Sequence, residues 1–311
     1  MLVPIRKRNG SRGGRAMPQP NPVVLRAVRE YERRIAALIR RSRIVRFQDI
    51  VRIRRAYSEL LREIAPFVAG QSGFGRAATD QLLSTLARRI DEVSSRVEGI
   101  VRDGITAQAE LAQRGLVAYQ AAFGQYGSAL SALAITPQQL DAIMGFSADL
   151  IGIRSGGIGA SILQRVNSAL RLGALGVVDQ QTSIAAISRA LGRPAAWSFR
   201  AEMIYVTETL RAHSITTEQG IQDLARHTPT GKRWVWSGIA REEHAAINGQ
   251  VVRADQRFKV PVPASKGKPA RVVLMRFPRD PSAPAEATIF CGCFLVPVPM
   301  TSSGEPIQVA A

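Results

Sequence analysis

Hydrophobic residues recur at alternating spacings of three and four along residues 79–123. This heptad pattern predicts one long helix with a narrow apolar seam, as in a coiled coil or a long helical hairpin. The seam positions are Leu83, Leu86, Ile90, Val93, Val97, Ile100, Gly104, Ala107 and Leu111. The small residues at 104 and 107 indicate close approach of another helix. We expect the seam to pack against a partner or against a neighbouring helix of the same chain.

Helical periodicity also covers the residues on either side of this segment. Apolar positions alternate with arginines along residues 21–66 and predict helical structure there. Thr136-Pro137 has the form of an N-cap followed by proline at the first helical position. Further helices are expected at 138–144, 182–191 and 196–213, with a glycine-rich joint at Ser155-Gly156-Gly157.

The pattern changes near His227, where Pro229 and Gly231 mark a boundary. Alternating segments at 233–237, 250–252, 271–277 and 288–298 predict short strands, with one short helix at 240–247. The fold class is therefore α+β: a mainly α-helical N-terminal part with a long coiled-coil-like helix, followed by a small C-terminal α+β module. The predicted divisions are a flexible basic arm (1–20), a helical region with the heptad seam (21–135), a helical linker block (136–226), the α+β module (227–300) and a flexible tail (301–311).

Positive charge is concentrated at the start of the chain. The 311 residues include 42 Lys and Arg against 24 Asp and Glu, and residues 1–55 alone hold 16 basic and three acidic side chains. This surplus indicates a polyanionic neighbour, either double-stranded DNA or the acidic face of another protein. The candidate contact residues are Arg6, Lys7, Arg8, Arg12, Arg15, Arg40, Arg41, Arg43 and Arg46.

Signals for export or membrane insertion are weak. The basic N-terminus lacks the apolar core of a secretory signal. Residues 115–140 carry no charge, but their glutamines and serines make them too polar for a membrane span. Two cysteines in a chain of this length are typical of synthesis in a reducing cytoplasm. We expect no membrane association.

The most specific segment is 278–293, whose first half contains Pro278, Pro281 and Pro284. Proline fixes φ and lacks an amide donor, so a turned loop is predicted there. The second half is β-prone and carries Cys291 and Cys293, which a strand would place on the same face. Asp280 suits an Asx-turn, and Asn248-Gly249 is a strong turn signal before the strand at 250–252.

Four landmarks follow one another along the chain: Arg200-Ala201-Glu202, Trp234-Val235-Trp236, Arg241-Glu242-Glu243-His244 running on to Asn248-Gly249, and the segment 278–293. Their ordered combination resembles the phage Mu F-like head morphogenesis family, the minor head proteins of tailed phages, over roughly residues 165–298. Two features depart from the family pattern. Ser237 and Ile239 replace an Asp-x-Arg pair, and Gly292 replaces the arginine of Cys-Arg-Cys. The retained positions are Arg200, Glu202, Arg241, His244, Asn248, Gly249, Asp280, Glu286, Cys291 and Cys293.

The resemblance implies a minor head protein of a tailed phage or prophage. It would act in head morphogenesis by binding the portal or the capsid interior, together with packaged DNA. Its location would be the virion, at the head interior or portal vertex, and the host cytoplasm during assembly. One alternative is a non-specific DNA-binding protein packaged in the particle and delivered with the genome. The other is a nuclease-like enzyme using His244 as general acid or base, with Glu243 or Glu286 and Arg241.

The polar residues of the module are interpreted as a structural network, because buried charges need partners. The predicted network is Arg200, Glu202, Arg241, His244, Asn248, Asp280, Glu286, Cys291 and Cys293. The expected ion pairs join Arg200 to Glu202 or Glu286, and Arg241 to Asp280.

A zinc site is chemically open to Cys291, Cys293, His244 and His227, since tetrahedral zinc accepts two cysteines and two histidines. The Cys-x-Cys spacing and the lack of a second cysteine pair count against it. We therefore expect binding rather than enzyme activity, with no cofactor and no metal.

Overall fold

A computed structural model of the chain describes residues 22–69, 76–123, 137–152, 156–174, 178–191, 194–238, 241–264 and 267–307. The helical part contains α1 (Pro22–Ala69), α2 (Arg76–Phe123), α3 (Pro137–Ile151), α4 (Ile158–Ala174), α5 (Gln180–Leu191) and α6 (Pro194–Ala225). The module contains β1 (Thr230–Val235), a 3-10 helix (Glu242–Ile247), β2 (Val251–Arg253), β3 (Phe258–Val262), β4 (Arg271–Met275), α7 (Ala285–Thr288) and β5 (Phe294–Pro299). The predicted α+β class is confirmed.

The predicted heptad seam lies along α2 and is buried within this chain. Leu86, Ile90, Val97 and Ile100 are almost fully enclosed, and α2 packs against both α1 and α6. Close approach near residue 104 is also present, because a Cβ atom added at Gly104 would lie 2.5 Å from the ring of Tyr205 on α6. The seam therefore joins neighbouring helices of the same molecule.

The module is built on two antiparallel sheets. Three strands lie in the order β2-β1-β5, with Trp234 opposite Leu295, and β3 pairs with β4. Trp234, Phe258 and Met275 are fully buried in the module core, together with Ile221 from the end of α6. Helix α6 thus contributes to the cores of both parts of the molecule, because Tyr205 and Leu210 lie in the helical core.

Several boundaries differ from the predicted ones. Helix α6 continues to Ala225 instead of ending near His213, since its last turns bury Ile221 in the module core and Leu224 in a cluster with residues of α1, α2 and β5. Strand β3 was not predicted. The strand expected at 288–298 begins only at Phe294, because Thr288 ends α7 and both cysteines lie in the intervening loop.

The structure describes part of only one of the two ends that were predicted to be flexible. The arm at 1–20 and residues 308–311 lie outside the described residues. The start of the predicted tail is part of the module: Met300 bridges to Pro306, and the N–H of Ile307 donates to the carbonyl of Pro299 over 2.9 Å. None of the described helices combines the length and the apolar character needed to cross a membrane.

Candidate functional site

His244, Cys291 and Cys293 meet in the interior of the module. Nδ1 of His244 lies 3.5 Å from Sγ of Cys291 and 3.6 Å from Sγ of Cys293. All three residues have no solvent exposure, and neither cysteine forms a disulfide. The ring of Trp234 stands edge-on to the imidazole, with the ring centroids 5.4 Å apart. We call these three residues the His-Cys-Cys cluster.

Unusual backbone conformations bring the cluster together. Among the described residues, the non-glycine residues with positive φ are Arg241 (55°), Arg279 (65°) and Phe290 (58°). Arg241 precedes the 3-10 helix that carries His244, and Phe290 directly precedes Cys291. Left-handed conformations are unfavourable for residues with a Cβ atom and persist where the surrounding structure requires them. Their concentration here shows that the loops around the cluster are held in place by tertiary contacts.

Arg279 is a fully buried cation beside the cluster. Its guanidinium donates to the main-chain carbonyl of Cys291 and to Oγ of Ser214, both over 2.6 Å, while its Nε has no partner among the described residues. Neither acceptor is a carboxylate. Burial lowers the pKa of Arg279, because a charged group is disfavoured in an apolar interior, although the nearby cysteines act in the opposite direction.

The cysteine thiols respond to this environment in opposite ways. Burial acts to raise the pKa of Cys291, but hydrogen bonding with Cys293 and His244 and the charge of Arg279 outweigh it, so the pKa lies well below the usual value. Hydrogen bonding with Cys291 and burial raise the pKa of Cys293. The surroundings therefore favour ionisation of Cys291 over ionisation of Cys293.

Asp280 forms the predicted Asx-turn. Its Oδ1 accepts the N–H of Ser282 over 3.1 Å, and its Oδ2 accepts the N–H of Arg276 over 2.9 Å. The Arg276 guanidinium also donates to both carboxylate oxygens over 3.0 Å. Burial acts to raise the pKa of Asp280, but the hydrogen bonds from Arg276 and Ser282 hold the pKa well below its ordinary range. The carboxylate thus fixes the turn that presents Arg279.

Asn248 and Gly249 form the predicted turn before β2. Asn248 has φ −60° and ψ 129°, Gly249 has φ 80°, and the N–H of Gln250 donates to the carbonyl of Ile247 over 3.0 Å. These values define a type II turn, in which glycine accommodates the positive φ. Oδ1 of Asn248 accepts the N–H of Trp236 over 2.9 Å, so the turn is tied to the end of β1.

Arg241 links the 3-10 helix to the cysteine loop. Its guanidinium donates to the carbonyl of Ile289 over 2.8 Å and 3.1 Å, and lies 3.6 Å from the carboxylate of Glu243. The expected pair with Asp280 is not formed, because Arg276 is closer in the turn and occupies that carboxylate.

The remaining predicted network residues have other partners. Arg200 is exposed on α6. Glu202 is buried but accepts two hydrogen bonds from Arg54 of α1, over 2.6 Å and 2.9 Å. Glu286 lies 3.1 Å from Lys268. The expected Arg200 pairs are therefore not formed, and Arg200 and Glu202 lie in the helical part.

The predicted basic contact residues have different accessibilities. Arg6, Lys7, Arg8, Arg12 and Arg15 lie outside the described residues. Arg40 and Arg41 are exposed on α1. Arg43 is half-buried and donates to the carbonyl of Ser237 over 2.9 Å, and Arg46 is buried. Because its side chain is buried, Arg46 is not available to an external polyanion in this fold.

Sequence reasoning missed two buried cations. Arg279 lies in the proline-rich loop, where the sequence pattern gives no sign that its side chain is buried. Lys232 on β1 is almost completely buried, and its Nζ lies 2.8 Å from Oε1 of Glu218 on α6. Burial lowers the pKa of Lys232, partly offset by Glu218. In the sequence, Lys232 is a charged residue within a β-prone run. A strand whose charged face is exposed to solvent has the same pattern, so the burial of Lys232 could not be predicted.

His227, the fourth residue considered for a zinc site, is exposed at the end of α6. It lines a cavity with Tyr119 and Phe123, apart from the His-Cys-Cys cluster. Among the described residues, the cluster is a group of side chains that could together hold a metal ion. Its three donor atoms all lie within 4.8 Å of one another. Two sulfurs and one imidazole nitrogen can hold a soft or borderline divalent metal, or can cross-link the loops by hydrogen bonds alone.

Comparisons of this chain with protein-family models, with curated proteins and with solved structures give no match.

Proposed function

We propose that this chain is a minor head protein of a tailed phage or prophage, acting in head morphogenesis by binding a protein partner at the portal or capsid interior. The observation that carries the proposal is that five of the resemblance residues, Arg241, His244, Asn248, Cys291 and Cys293, link neighbouring segments of the module. His244 meets both cysteines, Arg241 holds the carbonyl of Ile289, and Asn248 caps the end of β1. These members of the ordered motifs are thus also close together in the module, whereas Arg200 and Glu202 lie in the helical part.

Binding is favoured over catalysis by the burial of the polar residues. His244 has no solvent exposure, and its Nδ1 faces two sulfurs. A general acid or base must come within hydrogen-bond reach of its substrate. A phosphodiester could reach His244 only after the module opened. Of the two glutamates proposed to assist it, Glu286 pairs with Lys268 and Glu243 lies 3.6 Å from Arg241. These contacts support a structural role for the network.

A surface of α1 has the composition of a protein-binding site. Ile44, Phe47 and Val51 are 58%, 67% and 47% exposed and follow one another at helical spacing, so we call them the exposed apolar face. Ile44 also lines a shallow groove together with Arg34, Ala37, Leu38, Arg40, Arg41, Arg114 and Ala118. Arginines around an apolar floor complement an acidic amphipathic segment of a protein.

Duplex DNA is the weaker candidate for this surface. Non-specific DNA binding depends on cations that reach phosphates and gains little from an apolar floor. Arg46 is buried, and Arg43 donates a hydrogen bond to the carbonyl of Ser237. Of the predicted contact residues on α1, Arg40 and Arg41 are therefore the accessible ones. The described surface therefore favours an acidic protein partner.

The proposal is tested in particles made by the phage or induced prophage that encodes the chain. We expect mass spectrometry to find the chain in purified heads, and deletion of its gene to reduce the yield of normal heads. The triple variant Ile44→Ser, Phe47→Ser, Val51→Ser should be lost from heads while remaining folded. The matched control is Val272→Ser with Leu274→Ser, which removes exposed apolar side chains from β4.

Normal heads without the gene, together with absence of the chain from particles, would reject the proposal. The DNA-binding alternative predicts a different result. Duplex binding would weaken steeply with salt and would be reduced by Arg40→Ser with Arg41→Ser, whereas the apolar triple variant would bind DNA as the wild type does.

A further inference from the structure

The two nitrogen–sulfur distances in the His-Cys-Cys cluster match those of a tetrahedral zinc site. With bonds of about 2.3 Å from zinc to sulfur and about 2.0–2.1 Å from zinc to nitrogen, tetrahedral angles place a sulfur and a nitrogen ligand about 3.6 Å apart. Nδ1 of His244 lies 3.5 Å from Sγ of Cys291 and 3.6 Å from Sγ of Cys293. All three donor atoms fall within 4.8 Å of one another.

We propose that His244, Cys291 and Cys293 form a binding site for one zinc ion, with the imidazole Nδ1 and the two sulfurs as its protein ligands. Two sulfurs and one nitrogen are a donor set that zinc accepts, and three protein ligands leave one tetrahedral position for a non-protein ligand. The proposal uses neither His227 nor a second cysteine pair.

The surroundings of the ligands favour metal binding over a disulfide. Arg279 donates to the main-chain carbonyl of Cys291 and so fixes the ligand loop, and its buried positive charge stabilises nearby sulfur anions. Trp234 packs edge-on against the imidazole and restricts its rotation. A disulfide between Cys291 and Cys293 would remove the thiol groups that now lie within hydrogen-bonding distance of Nδ1 of His244.

The position of the site gives it a structural role. Its ligands come from two distant segments, because His244 on the 3-10 helix is 47 residues from Cys291 and 49 residues from Cys293 along the chain. A metal would therefore join the 3-10 helix to the segment that leads into β5. Small domains commonly use a metal in this way, and the free energy of metal binding then contributes to folding. Because all three ligand residues are buried, the fourth position would hold an enclosed water molecule beyond the reach of a substrate, and we assign the ion to stabilisation of the module.

The test is metal analysis and titration of the full-length chain, purified with a reducing agent after growth in zinc-supplemented medium. We expect about one zinc per chain by elemental analysis. Titration of the metal-free protein with Co²⁺ should give a sulfur-to-cobalt charge-transfer band and the visible bands of a tetrahedral site. Added Zn²⁺ should remove both signals and raise the unfolding temperature.

Variants identify the ligands. Cys291→Ser, Cys293→Ser and His244→Gln should each weaken Co²⁺ binding by more than about 100-fold, because loss of an outer-shell partner alone costs about 10- to 100-fold. His227→Gln is the matched control, since that histidine is exposed and lies outside the cluster, and it should bind as the wild type does. Cys293→His keeps a metal-binding side chain and should retain Co²⁺ binding while losing part of the charge-transfer intensity.

Three results would overturn the proposal. The first is folded wild-type protein that takes up neither zinc nor cobalt. The second is unchanged Co²⁺ binding in the cysteine variants. The third is a Cys291–Cys293 disulfide in the folded, reduced preparation. The wild-type titration does not depend on any variant folding. None of these results bears on head assembly, which is measured in particles.

Discussion

Arg54 of α1 and Glu202 of α6 form a two-pronged ion pair, with Nε to Oε1 at 2.6 Å and Nη2 to Oε2 at 2.9 Å. The glutamate side chain is 5% exposed and the arginine side chain 60% exposed. The partly exposed guanidinium of Arg54 therefore donates two hydrogen bonds to the buried carboxylate of Glu202. The pair links two helices of the main core.

Removing the arginine of this pair should destabilise the fold. In Arg54→Met the carboxylate of Glu202 stays buried but loses two charge-assisted hydrogen bonds. The free energy of unfolding should fall by about 1–3 kcal/mol. The loss should be towards the lower end of this range, because Arg54 is solvent-exposed. Urea unfolding measures the change. Arg34→Met is the control, since Arg34 pairs with Glu30 and both side chains are about half exposed, so less than about 0.5 kcal/mol is expected. Equal losses in the two variants would contradict this account.

Two glycines on α2 should respond oppositely to alanine. A Cβ atom at Gly104 would meet the ring of Tyr205, whose hydroxyl donates to Oδ2 of Asp49 over 2.7 Å. Gly104→Ala should therefore cost about 1–3 kcal/mol through overpacking, even after the gain in helix propensity. A Cβ atom at Gly99 would meet nothing within 4 Å, so Gly99→Ala should stabilise by up to about 1 kcal/mol. Thermal unfolding of both variants tests the packing, and stabilisation by Gly104→Ala would refute it.

Folding stability should decrease in mild acid because of His213. Burial lowers the pKa of this histidine from 6.5 to about 3, with a further contribution from the charge of Arg279. Between these two values the unfolded chain binds a proton that the folded chain does not. Stability should therefore fall as the pH falls from about 6.5, by about 1 kcal/mol per pH unit from this residue.

The contribution of His213 is isolated by comparing variants between pH 6.5 and pH 5. His213→Gln should reduce the slope of the unfolding free energy against pH, whereas the exposed His227→Gln should retain the wild-type slope. Urea unfolding at several pH values provides the measurement. Identical slopes in all three proteins would show that His213 does not titrate as its burial requires.

The carboxylate of Asp280 should be essential to the loop that carries Arg279. Asp280→Asn removes the charge that pairs with Arg276 and reduces the number of hydrogen bonds the buried side chain can accept. At pH 7, where the native carboxyl is ionised, the loss is expected to be about 2–3 kcal/mol. Asp255→Asn is the control, because Asp255 and Arg253 are both largely exposed, and it should change stability by less than about 0.5 kcal/mol. A loss at Asp280 no larger than at Asp255 would contradict the role assigned to this turn.

Local patterns predicted much of this molecule correctly. The heptad seam of α2 is buried where it was expected, and Pro137 begins α3. The turn at Asn248-Gly249 and the Asx-turn at Asp280 also form as predicted. Each of these features depends on residues a few positions apart, where backbone geometry and the helical repeat restrict the available conformations.

The partners of the charged residues could not be predicted in the same way. Glu202 binds Arg54, which is 148 residues away, and Asp280 binds Arg276 in preference to Arg241. An arginine-rich sequence offers many pairings of similar local plausibility. Packing of α1 against α6 selects among them, and the complete fold buries Arg46 while leaving Arg40 and Arg41 exposed.

The sequence by itself determined the α+β class, the long seam helix and the turn chemistry, because these follow from short-range periodicity and from the conformational limits of proline and glycine. Only the tertiary structure decided that the apolar seam of α2 packs against other helices of the same chain and that α6 extends into the module. It also decided that Nδ1 of His244 lies between two cysteine sulfurs. Those outcomes depend on contacts between distant segments, whose geometry is set by the packing of the whole core.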